Sequence, residues 1–201
     1  MKACIKALLT VIITQQRIIR AKKEVEESHH QVDALNKRVF VDALTSVRNR
    51  GGFFECVQGI QDRLDNKEPV AFAVIILDCD NLKNVNDRYG HDKGDAYIKK
   101  ASELICRVFK RSPVFRIGGD EFAVVLENEE YQNRKELTEL FDKNADEIRA
   151  LAENKWEQVS VSLGMAEYDP QSDTSVDDVI HRADKTMYEN KRTRKEENIG
   201  R

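Results

Sequence analysis

Apolar residues recur along the chain with three different spacings, and each spacing predicts a different kind of element. Over residues 8–41, Val11, Ile18, Val25, Val32 and Val39 return every seven positions, with Ala21, Ser28 and Leu35 as a thinner second stripe. That repeat predicts a long helix, two copies of which could pair in parallel as a weak coiled coil, β-branched residues favouring two strands. The same stripe would serve a single helix laid on the domain equally well. Asp42 reads as the N-cap of a helix from about Ala43, and a longer helical pattern runs through Phe53, Phe54, Val57, Ile60 and Leu64 until Asn66-Lys67-Glu68-Pro69 ends it. Residues 70–77 form an unbroken apolar run, the signature of a buried central strand. A helix is expected over 94–109, short strands over 114–118 and 121–126, a helix over 137–151, a strand over 158–168 and an amphipathic helix over 176–195. The resulting order, βαββαβα after the leading helices, implies an α+β domain over residues 42–201. Its central, mainly antiparallel sheet would carry helices on one face, in a ferredoxin-like or nucleotide-cyclase palm arrangement.

Composition narrows this picture. The 201 residues are 40% apolar and 34% charged, enough for one domain with a heavily ionic surface and an extension of about 40 residues. The net charge of −3 is unevenly placed: residues 1–41 carry +4 and the remainder −7. An acidic body argues against a generic basic binder of nucleic acid. To handle an anionic ligand it would need a metal ion or a local basic cluster. Cys4, Cys56, Cys79 and Cys106 show no C-x-x-C pair, which argues against a zinc knuckle or disulfide framework and fits reduced thiols in a cytosol. The apolar run at residues 7–13 falls far short of the roughly 20 residues that span a bilayer. Lys2 and Lys6 before it imitate a secretion signal, but Thr14-Gln15-Gln16-Arg17 offers no small-residue cleavage site. A cytoplasmic chain without a targeting segment is expected, and one cut just after an upstream sensor domain would look the same.

Two acidic clusters carry the candidate chemistry. Asp78 ends the buried run, and a carboxylate there is costly unless its charge is offset. A divalent cation is one partner, and oxygen ligands favour Mg²⁺ or Mn²⁺ over zinc; a plain capping Asp is the other reading. The second cluster is Arg116-Ile117-Gly118-Gly119-Asp120-Glu121-Phe122, two carboxylates beside a glycine pair that reads as a hairpin turn. Strand alternation would send one carboxylate towards Asp78, while a turn would let both approach a metal.

Together the clusters resemble the GGDEF family, the diguanylate cyclases. Gly118-Gly119-Asp120-Glu121-Phe122 reproduces the defining pentapeptide, and Asp78 to Asp87 is similar to its D-x-D-x-F-K-x-x-N-D segment, with Leu82 where Phe is usual. Gly90-His91-Asp92-Lys93-Gly94-Asp95 matches G-H-x-x-G-D, and Asp42-Ala43-Leu44-Thr45 through Asn49-Arg50 resembles the opening D-x-L-T…N-R. Val161-Ser162-Leu163-Gly164-Met165-Ala166 and Ala183-Asp184…Met187-Tyr188…Lys191 resemble the last strand and helix.

The resemblance implies condensation of two GTP into cyclic di-GMP and two pyrophosphates, across a homodimer in which each subunit holds one nucleotide. By that likeness Asp78, the Cys79 carbonyl, Asp120 and Glu121 hold two metal ions, and Asp120 accepts the 3′-hydroxyl proton. Asn86 and Asp95 read guanine: a carboxylate accepts from N1–H and the 2-amino group, donors that adenine lacks on that edge. Asp95, where some relatives have Ser, disfavours a cyclase joining different nucleotides. The amides of Asn81 and Leu82 with Lys83 and Lys191 would meet the phosphates. Lys195 stands where Arg is common and Arg194 where Gly is usual; a solvated helix face is the other reading of Arg192, Arg194 and Lys195. The inhibitory R-x-x-D of many relatives is replaced at its two fixed positions by Phe109 and Ser112, so no product inhibition through that site is expected. His29 and His30 read as solvated, His91 as bracing its turn, and His181 and Trp156 as helix and packing residues. The alternative function is a silent GTP-binding regulatory module, against which both retained carboxylates argue.

Overall fold

All eight residues of strand β2 (Phe72–Cys79) are buried, and they alternate between two separate cores. Ala73, Ile75, Leu77 and Cys79 face one cluster, while Phe72, Val74 and Ile76 face the other. The structure, a computed structural model, describes residues 39–199 together with Gln15, Arg20, Lys22 and Lys23. Most of the heptad positions, from Val11 to Leu35, and also Cys4, His29 and His30, lie outside the described residues. The compact unit that carries the elements below begins at Val41.

Five strands, β1 (Arg48–Asn49), β2, β3 (Val114–Arg116), β4 (Glu121–Glu127) and β5 (Val161–Glu167), form one sheet in the order β1-β3-β4-β2-β5. β1 runs parallel to β3 and the other neighbours are antiparallel, as a mainly antiparallel sheet requires. Helices α1 (Arg50–Asp65), α2 (Leu82–Tyr89), α3 (His91–Val108), α4 (Asn128–Gln132), α5 (Arg134–Leu151) and α6 (Val176–Ile199) flank it, with a 3₁₀ turn at Lys155–Glu157.

The expectation of helices on one face is corrected by the two cores. Tyr97, Ala101, Leu104 and Ile105 of α3 and Phe141 of α5 cover one side; Phe53 and Ile60 of α1 and Val179, Ala183 and Met187 of α6 cover the other. The reason is already in β2: an unbroken apolar run leaves no polar face to meet water, so both faces need a lid. β5 is an edge strand, and side chains of α6 occupy its outward carbonyls. Arg194 donates to Val161 O at 2.7 Å, Asn190 to Leu163 O at 2.8 Å and Arg182 to Glu167 O at 2.7 Å. Such cover removes a template for unwanted strand pairing.

Asp42 caps no helix. Its carboxylate accepts from the Leu44 and Thr45 amides and the Thr45 hydroxyl, closing a turn, and α1 starts only at Arg50 with Asn49 accepting from Gly52 N at 3.1 Å. An Asp stabilises a tight turn by the same local bonds with which it caps a helix.

Candidate functional site

The register of the sheet assembles the acidic residues. Asp78, 8% exposed at the end of β2, lies opposite Glu121 on β4 and Ser162 on β5. The next amide, Cys79 N–H, donates to the Asp120 carbonyl at 2.9 Å, stitching the acidic turn to the exit of β2. The turn itself is tight: the Ile117 and Gly118 amides both donate to Glu121 O, at 2.9 and 3.3 Å. A Cβ on Gly118 would come within 2.5 Å of Glu121 Oε2, so a side chain there would displace the carboxylate; Gly119 faces open space.

Burial pushes the Asp78 carboxyl above its ordinary range, with Asp120 and Asp80 adding to the rise and the Lys191 ammonium opposing it. Glu121 is raised as well, by burial first and then by Asp120, Asp78 and Asp184. The three predicted metal-binding side chains therefore feel one another. Lys191 Nζ stands 2.5 Å from Asp78 Oδ1; burial works against its charge, but Asp78 together with Asp80 and Asp120 more than restores it, and its pKa rises. The Cys79 thiol is 1% exposed and burial pushes its pKa well up, which leaves its main chain as its only hard donor.

Two supports of this cluster carry no signal that a sequence shows. Arg116 donates from Nε and a terminal nitrogen to Gly119 O, at 3.3 and 2.6 Å, and from its other terminal nitrogen to Asp42 Oδ1 at 3.1 Å. Burial opposes the Asp42 charge, but Thr45 and Arg116 outweigh it and hold the carboxyl below its ordinary range. Asp80, 7% exposed, accepts from Ser160 Oγ at 2.8 Å and from Ser162 Oγ at 2.9 and 3.0 Å. Tyr97, 1% exposed, donates its hydroxyl to Asp80 O and accepts from Ser160 N, both at 2.8 Å. Arg116 and Asp42 stood in the quoted motifs, but ion pairs between distant segments leave no periodic signal.

Asn81 begins the nucleotide side. Its backbone is left-handed (φ 63°), and α2 starts after it with no side chain capping the first turn. Its amide group instead accepts from Asn84 Nδ2 at 3.2 Å. First-turn N–H groups of this kind are donors in search of an acceptor. Leu82 is half-buried against the α3 core and Lys83 is exposed beside it. A Cβ on Gly94 would fall 1.8 Å from Asn86 Oδ1; the bare glycine lets Asn86 lie against the residue that precedes Asp95. The two residues expected to read guanine are thus brought together, with Asp95 exposed. His91 opens α3, exposed, and His181 Nδ1 is 3.1 Å from Asp177 O on α6. The Lys195 side chain lies outside the described residues; Arg194 is committed to Val161 O and Asp142, and exposed Arg192 lies 3.9 Å from Glu196.

Among the described residues no three His, Cys, Asp or Glu side chains converge on a ready-made metal cage. The donors still fit a hard divalent ion. They are oxygens, two of the carboxyls are raised by burial first and then by neighbouring acids, and Mg²⁺ characteristically takes one or two carboxylates and completes its shell with phosphate and water. A separate cavity of about 470 Å³ among α5, β5 and α6, lined in part by Thr138, Asp142, Leu163 and Arg194, touches none of these acids.

At the absent inhibitory motif, Phe109 is 1% exposed, part of the α3 core and stacked on Phe141 at 6.1 Å between ring centroids. Ser112 is half-buried nearby in sequence, and the Arg111 amide between them donates to Glu130 Oε1 at 3.0 Å.

Residues 39–197 match the family described as "Diguanylate cyclase, GGDEF domain". Diguanylate cyclase DgcP of Escherichia coli is 32% identical over 178 residues, 87% of this chain and 51% of DgcP. Diguanylate cyclase DgcS of Shewanella oneidensis is 31% identical over 163 residues, 80% of this chain and 52% of DgcS. The chain thus spans about half the length of these curated relatives. In three dimensions it is similar to the coiled coil and GGDEF domain of DgcB from Caulobacter crescentus, solved in complex with c-di-GMP. The TM-score is 0.69 at 26% identity, covering 89% of this chain and 94% of that one. The fold is the nucleotide-cyclase palm of GGDEF domains, and the chain belongs to the GGDEF family of diguanylate cyclases.

Proposed function

We propose that this chain condenses two GTP into cyclic di-GMP and two pyrophosphates, working as a homodimer in which each subunit presents one nucleotide to the other. The observation that supports the reading is the placement of the acidic turn beside the exit of β2, with Glu121 opposite Asp78 in the sheet register and the Asp120 carbonyl held by the Cys79 amide, near the uncapped start of α2. Asp78, the Cys79 carbonyl, Asp120 and Glu121 would hold two Mg²⁺ or Mn²⁺ ions, whose chemistry is to lower the pKa of the attacking 3′-hydroxyl and neutralise charge building on the phosphate. Asp120 takes the 3′-hydroxyl proton, a task that needs no strong base beside a metal. The amides of Asn81 and Leu82 cradle phosphate oxygens, with Lys83 and Lys191 as point charges and Lys195 further along α6. Asp95 accepts from the donors on guanine's Watson–Crick edge, and Asn86 donates to O6 or N7 and can accept as well.

Residues 1–41 serve in this reading as a signalling helix ahead of the catalytic domain 42–201, in a protein that works in the cytoplasm and can take its signal from an upstream sensor or partner. Among the described residues no helix is long and apolar enough to cross a membrane. With Phe109 sunk in the core, initial rates are expected to be insensitive to added cyclic di-GMP; strong non-competitive inhibition at micromolar product would overturn that point. The deciding experiment is incubation with GTP and Mg²⁺ followed by chromatography for cyclic di-GMP. Product is expected from the wild type and none from Glu121→Gln. A wild type that binds GTP without product would leave a regulatory module, and full turnover by Glu121→Gln would refute the metal assignment.

A further inference from the structure

Helix α3 is gripped along one stripe and carries Asp95 on another. Lys93, Tyr97 and Lys100 recur at i, i+4 and i+7, and each meets the segment that leads into β5. Lys93 Nζ lies 4.3 Å from the centre of the Trp156 ring. The Tyr97 hydroxyl takes the Ser160 amide at 2.8 Å, and Lys100 Nζ lies 3.7 Å from Glu157 Oε1. Trp156 and Glu157 sit on the 3₁₀ turn, which is stiffened by its own capping box: Asn154 donates from its amide and from Nδ2 to Glu157 Oε2, at 3.1 and 2.9 Å. Trp156 also packs against the α3 core. At about 100° per residue, Asp95 points roughly 200° around the helix from Lys93, away from this clamp. The clamp therefore sets the rotation of the first turns of α3 about their own axis, and with it the direction in which Asp95 projects. Gly94, between Lys93 and Asp95, leaves no slack, because it is pressed against Asn86.

We propose that Trp156 is a positioning residue for base selection: acting through Lys93, its ring fixes the orientation in which Asp95 meets the edge of guanine. The inference rests on Asp95 as the guanine reader. A carboxylate that must accept from N1–H and the 2-amino group together is sensitive to small rotations, because both bonds weaken steeply off line. Hypoxanthine keeps N1–H and lacks the 2-amino group, so the preference for guanine over hypoxanthine reports how the 2-amino group is met, and Asp95 is the acceptor whose aim Lys93 and Trp156 set.

The test is equilibrium displacement of a fluorescent GTP analogue from the full chain by GDP and by IDP, which lack the pyrophosphate leaving group and keep turnover out of the measurement. The wild type should prefer GDP. Trp156→Ala should lose about fivefold of that preference, the scale of one partly exposed cation–π contact. Trp156→Phe, which keeps a ring face for the ammonium, should retain most of it. Lys93→Ala should reproduce the loss, and the double variant should add nothing further. Should Trp156→Ala fail to fold, Lys93→Ala on the exposed helix start carries the test. Equal weakening of GDP and IDP, or an unchanged preference in Lys93→Ala, would overturn the proposal and leave the clamp a fold support. A wild type without preference would sink the base reading of Asp95 and this inference with it. A normal response in a protein that makes no cyclic di-GMP would sink the cyclase reading alone.

Discussion

Asp78 and Asp80 stand two residues apart where β2 runs out, are buried to nearly the same degree, and have opposite surroundings. Asp80 is met by the hydroxyls of Ser160 and Ser162. Asp78 looks at Asp120 and Glu121 and is met by the ammonium of Lys191 from α6. A carboxylate supplied with neutral donors can sit in a protein indefinitely as part of its frame; one crowded by like charges is held there by the rest of the fold and is poised for a cation. Burial alone does not separate the two. The company does.

The strongest way to break this contrast is Asp78→Asn. Product formation should fall about a thousandfold, the scale of several kcal/mol of lost metal-assisted stabilisation, while the melting temperature holds or rises because a strained charge is gone. A variant that lost its fold along with its activity would make Asp78 a second Asp80. Next in size, Asp80→Ala should cost about 3 kcal/mol in denaturant unfolding, since it strips the buried Ser162 hydroxyl and the half-buried Ser160 hydroxyl of their acceptor. Ser162→Ala should cost about 1 kcal/mol, one hydrogen bond of a network that Ser160 still supports. If Asp80→Ala unfolded no more easily than the wild type, its frame role would be refuted. The smallest effect is on pH dependence. The folded pKa of Asp78 lies above its unfolded value, so in the window between the two the native state binds more protons. Acidification through that window then adds stability, and the gain is lost again as pH rises through it. Metal-free unfolding at successive pH values should show this gain in the wild type and lose it in Asp78→Asn; identical profiles would mean the charge carries no strain.

Much of the frame was readable in advance because the signals are local. The apolar run that becomes β2 needs no partner to be recognised, and the breaker that begins at Asn66 coincides with the end of α1 at Asp65. β1 was not readable: two residues become a strand only because β3 lies alongside them in parallel. Nor was α2, whose Leu82–Tyr89 sequence is polar but for Leu82, Val85 and Tyr89 and which is held by α3 more than by its own pattern. In the site, residue type marks Asp78, Asp120 and Glu121 as acidic groups at a strand end and a turn, while their assignment as metal ligands comes from the family resemblance. The Arg116–Asp42 pair and the Asp80 network span about 75–80 positions of chain, and no window along a sequence connects such distances. Lys191 was placed with the phosphates, and the structure adds that its ammonium already belongs to Asp78.

Where β5 crosses beneath α6, a single hydrogen at Gly164 stands in for a side chain. A carbon in its place would lie 2.1 Å from Met187 N and 2.3 Å from Ala183 O, atoms of the helix backbone that cannot swing aside. Strand and helix are therefore seated as close as two main chains come, and the helix can neither slide nor lift by the width of a methyl without losing that seat. Lys191 follows Met187 by one turn, so the reach of its ammonium to the acidic corner is measured out by an atom the protein omits.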